Sequence, residues 1–202
     1  LASGSPVTLA WLPNALTVAR LVLVGPTVGC ILSGWTGLAL TLLLAAALTD
    51  VLDGWLARSL RSETPLGALL DPLADKALLS GAFVALGWTG ALPPWLVVLV
   101  AGRDLAILAG ALAFRIGGRS FVPEPSRLSR LNTLAQVALV AVVLALDALA
   151  EGGVVPGPAA GAWVVSALIG AVVLTTVGSG LTYAERGWRR WHERTPPAEG
   201  AQ

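Results

Sequence analysis

Apolar residues in this chain run in long, nearly uninterrupted stretches, each close to the ~20 residues a helix needs to cross a bilayer. Six such stretches fall at approximately 15–33, 36–58, 67–90, 93–116, 129–150 and 157–185. The breaks carry turn chemistry: Ser33-Gly34, Thr64-Pro65, Pro93-Pro94, Pro123-Glu124-Pro125 and Pro156-Gly157-Pro158. The pattern predicts an all-α, polytopic membrane protein with six transmembrane helices. Arg20 sits inside the first stretch and no charged region precedes it, so the stretch does not read as a cleaved signal peptide. No 20–50-residue period suggests a repeat array.

Composition agrees. Of 202 residues, 55% are hydrophobic and only 12% charged, about half the usual quarter of a soluble chain. Cys30 is the only cysteine, which excludes a disulfide scaffold, and 13 basic against 12 acidic residues exclude a nucleic-acid binder. The length suits one transmembrane domain over 12–187, after a segment 1–11 and before a polar tail 188–202. The start Leu1-Ala2-Ser3-Gly4-Ser5, in a chain without Met, reads as a trimmed or appended terminus.

Loop charges set an orientation. Arg58 and Arg61 follow the second stretch, and Arg115, Arg119, Arg127 and Arg130 follow the fourth. Arg186, Arg189, Arg190 and Arg194 follow the sixth, whereas the alternate connections hold no basic residue. Basic loops stay on the cytoplasmic side, so both termini are expected there, in a bacterial cytoplasmic membrane. Trp188, Trp191 and their arginines read as an interfacial anchor, with His192 among them.

Against this apolar background the second and third stretches hold Asp50, Asp53, Asp71 and Asp75. An ionisable side chain in the bilayer costs at least ~2.5 kcal/mol on insertion scales and points to function. Asp50, Asp53, Gly54 and Ala57 share one helix face by spacing, and Gly67, Asp71 and Asp75 share another. The turn between is short, so the two faces are expected to meet about two helical turns from the cytoplasmic ends. Four converging carboxylates need protons or cations. Oxygen ligands in this number suit Mg²⁺, Mn²⁺ or Ca²⁺, two ions balancing the charge. Small residues leave room beside them, and Arg58 offers a planar cation suited to phosphate. The set reads as phosphate-ester chemistry at a membrane surface. An ion-coupled transporter is the rival, but neither a broken helix nor an inverted repeat supports it.

Residues 50–75 read Asp50-x-x-Asp53-Gly54-x-x-Ala57-Arg58, eight further residues, then Gly67-x-x-x-Asp71-x-x-x-Asp75. All eight fixed positions resemble the signature of the CDP-alcohol phosphatidyltransferase family, and the likeness extends from Leu12-Pro13-Asn14-Ala15-Leu16-Thr17-x-x-Arg20 to about residue 185. The resemblance implies a homodimer, a need for divalent metal, and transfer of a phosphatidyl group from CDP-diacylglycerol to an alcohol with release of CMP. It implies that Asp50, Asp53, Asp71 and Asp75 hold two Mg²⁺ or Mn²⁺ ions and that Asp75 is the general base. Asp50 and Asp53, with Gly54, Ala57, Arg58 and Gly67, would accommodate CDP-diacylglycerol.

Two later segments bear on the acceptor. Gly102-Arg103-Asp104, with Ser126-Arg127-Leu128-Ser129-Arg130-Leu131-Asn132-Thr133-x-x-Gln136, is similar to the cardiolipin synthases of this family, whose acceptor is phosphatidylglycerol. Phosphatidylglycerophosphate synthases, which use glycerol 3-phosphate, are near relatives that usually carry Arg-Glu and Lys-Thr at these places. Arg103 is an intramembrane cation in need of an anion, and Asp104 is expected on another side of the helix. Arg103, Arg127 and Arg130 are candidates for holding the acceptor phosphate, although Arg127 and Arg130 also suit topology anchors. Asn132 and Gln136, one turn apart, suit hydrogen bonds to an acceptor or to a neighbouring helix.

Overall fold

A computed structural model describes residues 12–60, 65–116, 127–154 and 158–192, although some side chains within these helices, including those of 50–60, 65–73 and Asp75, lie outside the described set. The described residues form six α-helices and no strand: α1 Leu12–Leu32, α2 Thr36–Leu60, α3 Pro65–Trp88, α4 Pro94–Ile116, α5 Arg127–Glu151 and α6 Pro158–His192. Each expected apolar stretch is a helix, with ends shifted by a few residues. α5 and α6 contain stretches, 127–151 and 161–189, long and apolar enough to cross a membrane.

The largest departure is at the C-terminus, where the expected tail from 188 begins as helix and α6 runs on to His192. Its 35 residues span about 52 Å at a 1.5 Å rise, well beyond a ~30 Å hydrocarbon core. No proline interrupts α6 after its first residue, and Glu185 accepts from Arg189 at 2.6 Å one turn on, supporting the extension.

Two helix ends carry a glycine cap. Gly34 (φ 78°) and Gly153 (φ 77°) occupy the left-handed region that ends a helix without a Cβ penalty. The next residues close the cap, Trp35 N–H donating to Cys30 O and Val154 N–H to Leu149 O, both at 2.9 Å. Thr36, opening α2, donates through its N–H (3.3 Å) and its hydroxyl (2.7 Å) to Glu151 Oε1 at the end of α5. A carboxylate there also opposes the positive end of the α2 dipole.

α1 packs on both α2 and α3, α5 on α2 and α6, and α4 on α6. The core is aliphatic, with Ile31, Leu43, Phe83, Leu86, Leu96, Leu139, Leu144 and Val172 almost wholly buried. Polar side chains are buried alongside it: Thr17, Arg20, Asn132, Gln136, Thr176 and Ser179. Large apolar ones face outward, Trp88 at 84%, Ile116 at 78% and Leu174 at 76% exposure. Exposed large apolar side chains on several helices suit a nonaqueous neighbour.

Candidate active site

The eight signature positions fall on α2 and α3, on either side of residues 61–64. Asp50, Asp53, Gly54, Ala57 and Arg58 belong to the last turns of α2, and Gly67, Asp71 and Asp75 to the first half of α3. Their side chains lie outside the described residues, as does the expected convergence of the carboxylates. The adjoining positions are described. Ala74 is buried (1% exposed), and Lys76 places its Nζ 2.7 Å from Asp104 Oδ2 on α4.

That contact opens a polar centre shared by four helices. Asp104 Oδ1 accepts from Arg103 Nη1 at 2.7 Å. Arg103 also donates through Nε to Ser179 Oγ of α6 at 3.1 Å and through Nη2 to Ser129 Oγ of α5 at 2.9 Å. Its side chain is 9% exposed, and the guanidinium carbon lies 5.7 Å from the centroid of the Tyr183 ring. One guanidinium thus spends three of its five N–H groups on fixed partners from three helices.

Here the expectation for Asp104 is corrected. Adjacent residues leave a helix about 100° apart, which predicted that Asp104 would face away from Arg103. The arginine side chain nevertheless reaches the neighbouring carboxylate, and the two charges pair at 2.7 Å. In a low-dielectric setting an unpaired guanidinium is far costlier than the rotamer that brings the carboxylate to it.

Arg127 and Arg130 are exposed on the first turn of α5, flanking Ser129 rather than entering the centre. Asn132 is buried, and its Oδ1 accepts from Thr176 at 2.8 Å and Thr175 at 3.0 Å on α6. Of its two expected partners, the described contacts are those with a neighbouring helix. Ser129 belongs to the segment read for the acceptor, although its hydroxyl was given no role, and Lys76, Ser179 and Tyr183 were assigned none from sequence. Lone serines and one tyrosine in apolar helices give no periodic signal, and only the intramembrane charge of Lys76 marked it. Arg20, 1% exposed on α1 three residues after buried Thr17, is a second enclosed cation.

Fold and site together define a helical protein with apolar walls and a charged interior. Residues 10–178 match the CDP-alcohol phosphatidyltransferase family, and the chain belongs to it. It is 35% identical over 150 residues to a Drosophila melanogaster protein named "probable cardiolipin synthase (CMP-forming)", covering 66% of this chain and 46% of that one. The chain therefore spans about half the length of that relative. It is also 30% identical to a Bacillus subtilis CDP-diacylglycerol–glycerol-3-phosphate 3-phosphatidyltransferase over 192 residues, 88% of this chain and 95% of the other. A Mycobacterium tuberculosis protein named "probable phosphatidylglycerophosphate synthase" is 34% identical over 188 residues, 90% and 83% of the two chains.

Proposed function

We propose that the chain is a six-span, homodimeric membrane enzyme with cytoplasmic termini, transferring a phosphatidyl group from CDP-diacylglycerol to phosphatidylglycerol. The products are cardiolipin and CMP, and the site faces the cytoplasm of a bacterial inner membrane. One observation carries the reading: Lys76, next in sequence to Asp75, is bonded to Asp104 and through it to Arg103. That link supports reading the α3 carboxylate helix and the arginine centre on α4 as one site.

The donor set Asp50, Asp53, Asp71 and Asp75 is carboxylate only, which fits Mg²⁺ or Mn²⁺. Two such ions, when bound, would supply neutralisation of the diphosphate and of departing CMP. Gly54, Ala57 and Gly67 leave space for the cytidine diphosphate, and Arg58 pairs with its phosphate. Asp75 takes the proton of the acceptor's primary hydroxyl. That oxygen bonds to the phosphorus bearing diacylglycerol, the bond from this phosphorus to the bridging oxygen breaks, and CMP leaves with that oxygen. Arg103, with Arg127 and Arg130 at the mouth, holds the acceptor phosphate, and the remaining work is placement of two lipids.

Glycerol 3-phosphate is the second reading. It is favoured by the near-complete overlap with the B. subtilis and M. tuberculosis relatives. The test is purified protein with CDP-diacylglycerol and each acceptor in turn, with CMP and lipid product quantified. Cardiolipin equimolar with CMP is expected. Phosphatidylglycerophosphate without cardiolipin would overturn the acceptor, and solute movement in vesicles without CMP release would overturn the enzyme.

A further inference from the structure

Between α4 and α6 runs a groove of about 780 Å³, walled by Gly102, Ala106 and Gly110 on one side and Gly180, Ala184 and Gly187 on the other. We propose that it seats an acyl chain of an anionic phospholipid whose phosphate meets Arg103, an inference that rests on the lipid-acceptor reading above.

Three observations converge. A Cβ at Gly102 or Gly110 would meet no atom within 4 Å, so among the described residues no helix occupies the face these glycines open. The groove is also open at its sides, where the lining residues Leu181 and Trp188 are 67% and 70% exposed. Its length matches a lipid tail: Val98 to Gly110 spans about 18 Å at 1.5 Å per residue, close to one leaflet of a ~30 Å hydrocarbon core.

Charge selects the kind of lipid. Lys76 and Arg103 share the Asp104 carboxylate, so this described cluster carries one positive charge in excess. Arg103 is the one charged residue among those lining the groove, and two of its N–H groups remain for an anion. A phosphodiester supplies that anion. A helix of a second copy would fill the small-residue face equally well, but its apolar surface would leave the charge unanswered.

The test reads binding rather than turnover. Trp188 lines the groove, and the Trp188→Phe protein isolates its fluorescence from that of the other tryptophans. In detergent–lipid micelles, phosphatidylglycerol brominated along its acyl chains should quench the Trp188 component at mole fractions at least fivefold below brominated phosphatidylcholine. Gly110→Leu should remove that preference; Ala106→Leu serves if the first variant does not fold. Equal quenching by both lipids, or an unchanged preference in the folded variant, overturns the proposal. So does a variant that passes from dimer to monomer by light scattering with its lipid preference intact, which assigns the groove to a second copy. Selective quenching in a protein that makes only phosphatidylglycerophosphate retains the groove and rejects the acceptor. Cardiolipin synthesis without selective quenching rejects the groove alone.

Discussion

Lys76 Nζ and Asp104 Oδ2 meet at 2.7 Å across the α3–α4 contact, one residue beyond the last signature carboxylate. Through the other oxygen of Asp104 the link continues to Arg103, and from there to Ser129 and Ser179. One side chain, Asp104, therefore links α3 to α4 and, through Arg103, to α5 and α6.

Replacing that side chain tests the link. Asp104→Asn keeps the shape but leaves two cations without their shared anion. Hydrogen bonds to charged groups contribute about 1.5–3 kcal/mol, and the lysine end deserves a discount because Lys76 is 59% exposed. We expect the Arg103 half to dominate, with destabilisation of about 1–3 kcal/mol and at least a tenfold loss of turnover. Thermal unfolding in detergent, followed by circular dichroism, measures the first. An unfolding midpoint equal to that of the parent protein would remove Asp104 from this role.

Gly81 tests the packing that sets α3 against α1. A Cβ there would lie 3.0 Å from Val28 Cγ2 and 3.5 Å from Val24 Cγ1. Both neighbours are β-branched and stiff at χ1, so they yield poorly. Gly81→Val should destabilise by about 1–3 kcal/mol, the usual cost of overpacking. Gly102→Ala, with open space at its Cβ, should be tolerated. Equal stability of the two variants would contradict the close α1–α3 approach.

The six helices were legible because membrane-length apolar runs punctuated by proline and glycine leave little choice of structure. The end of α6 was not: Trp188-Arg189-Arg190 is polar enough to read as tail, yet arginine and glutamate are good helix formers and nothing there breaks the helix. The charged residues of the site were legible individually, since Arg103 and Asp104 stand out in an apolar stretch. Their pairing was not, because backbone direction predicts divergence while side-chain length permits return. The bonds of Ser129 and Ser179 to Arg103 became visible only once three helices were assembled around one guanidinium.

Asn132 offers a cleaner energetic measurement. Its Oδ1 accepts from both Thr175 and Thr176, but Thr175 Oγ1 also donates to Ala171 O (2.7 Å) and Val172 O (3.2 Å). The Thr176 bond is thus the one the asparagine alone supports among the contacts described. Interhelical hydrogen bonds in membrane proteins average about 0.6 kcal/mol and reach about 1.7. A double-mutant cycle of Asn132→Leu with Thr176→Val should show coupling in that range, and the cycle with Thr175→Val should show much less. Equal couplings would refute the asymmetry.

Asp75 and the metals provide the decisive chemical test. Removing a general base costs about 10²–10⁴ in rate without removing the groups that bind substrate. Asp75→Asn should therefore lose turnover by that factor or more while CDP-diacylglycerol still binds in equilibrium dialysis. Chelation should act differently, abolishing activity and weakening CDP-diacylglycerol binding, because the diphosphate loses its countercharge. Added Mg²⁺ or Mn²⁺ should restore both. Asp53→Ala should resemble chelation rather than Asp75→Asn, since it removes a ligand oxygen outright, whereas the amide oxygen of asparagine can still coordinate a hard cation. If Asp75→Asn turns over normally, the base lies elsewhere. If chelated protein keeps full activity, the four aspartates do not form a metal centre.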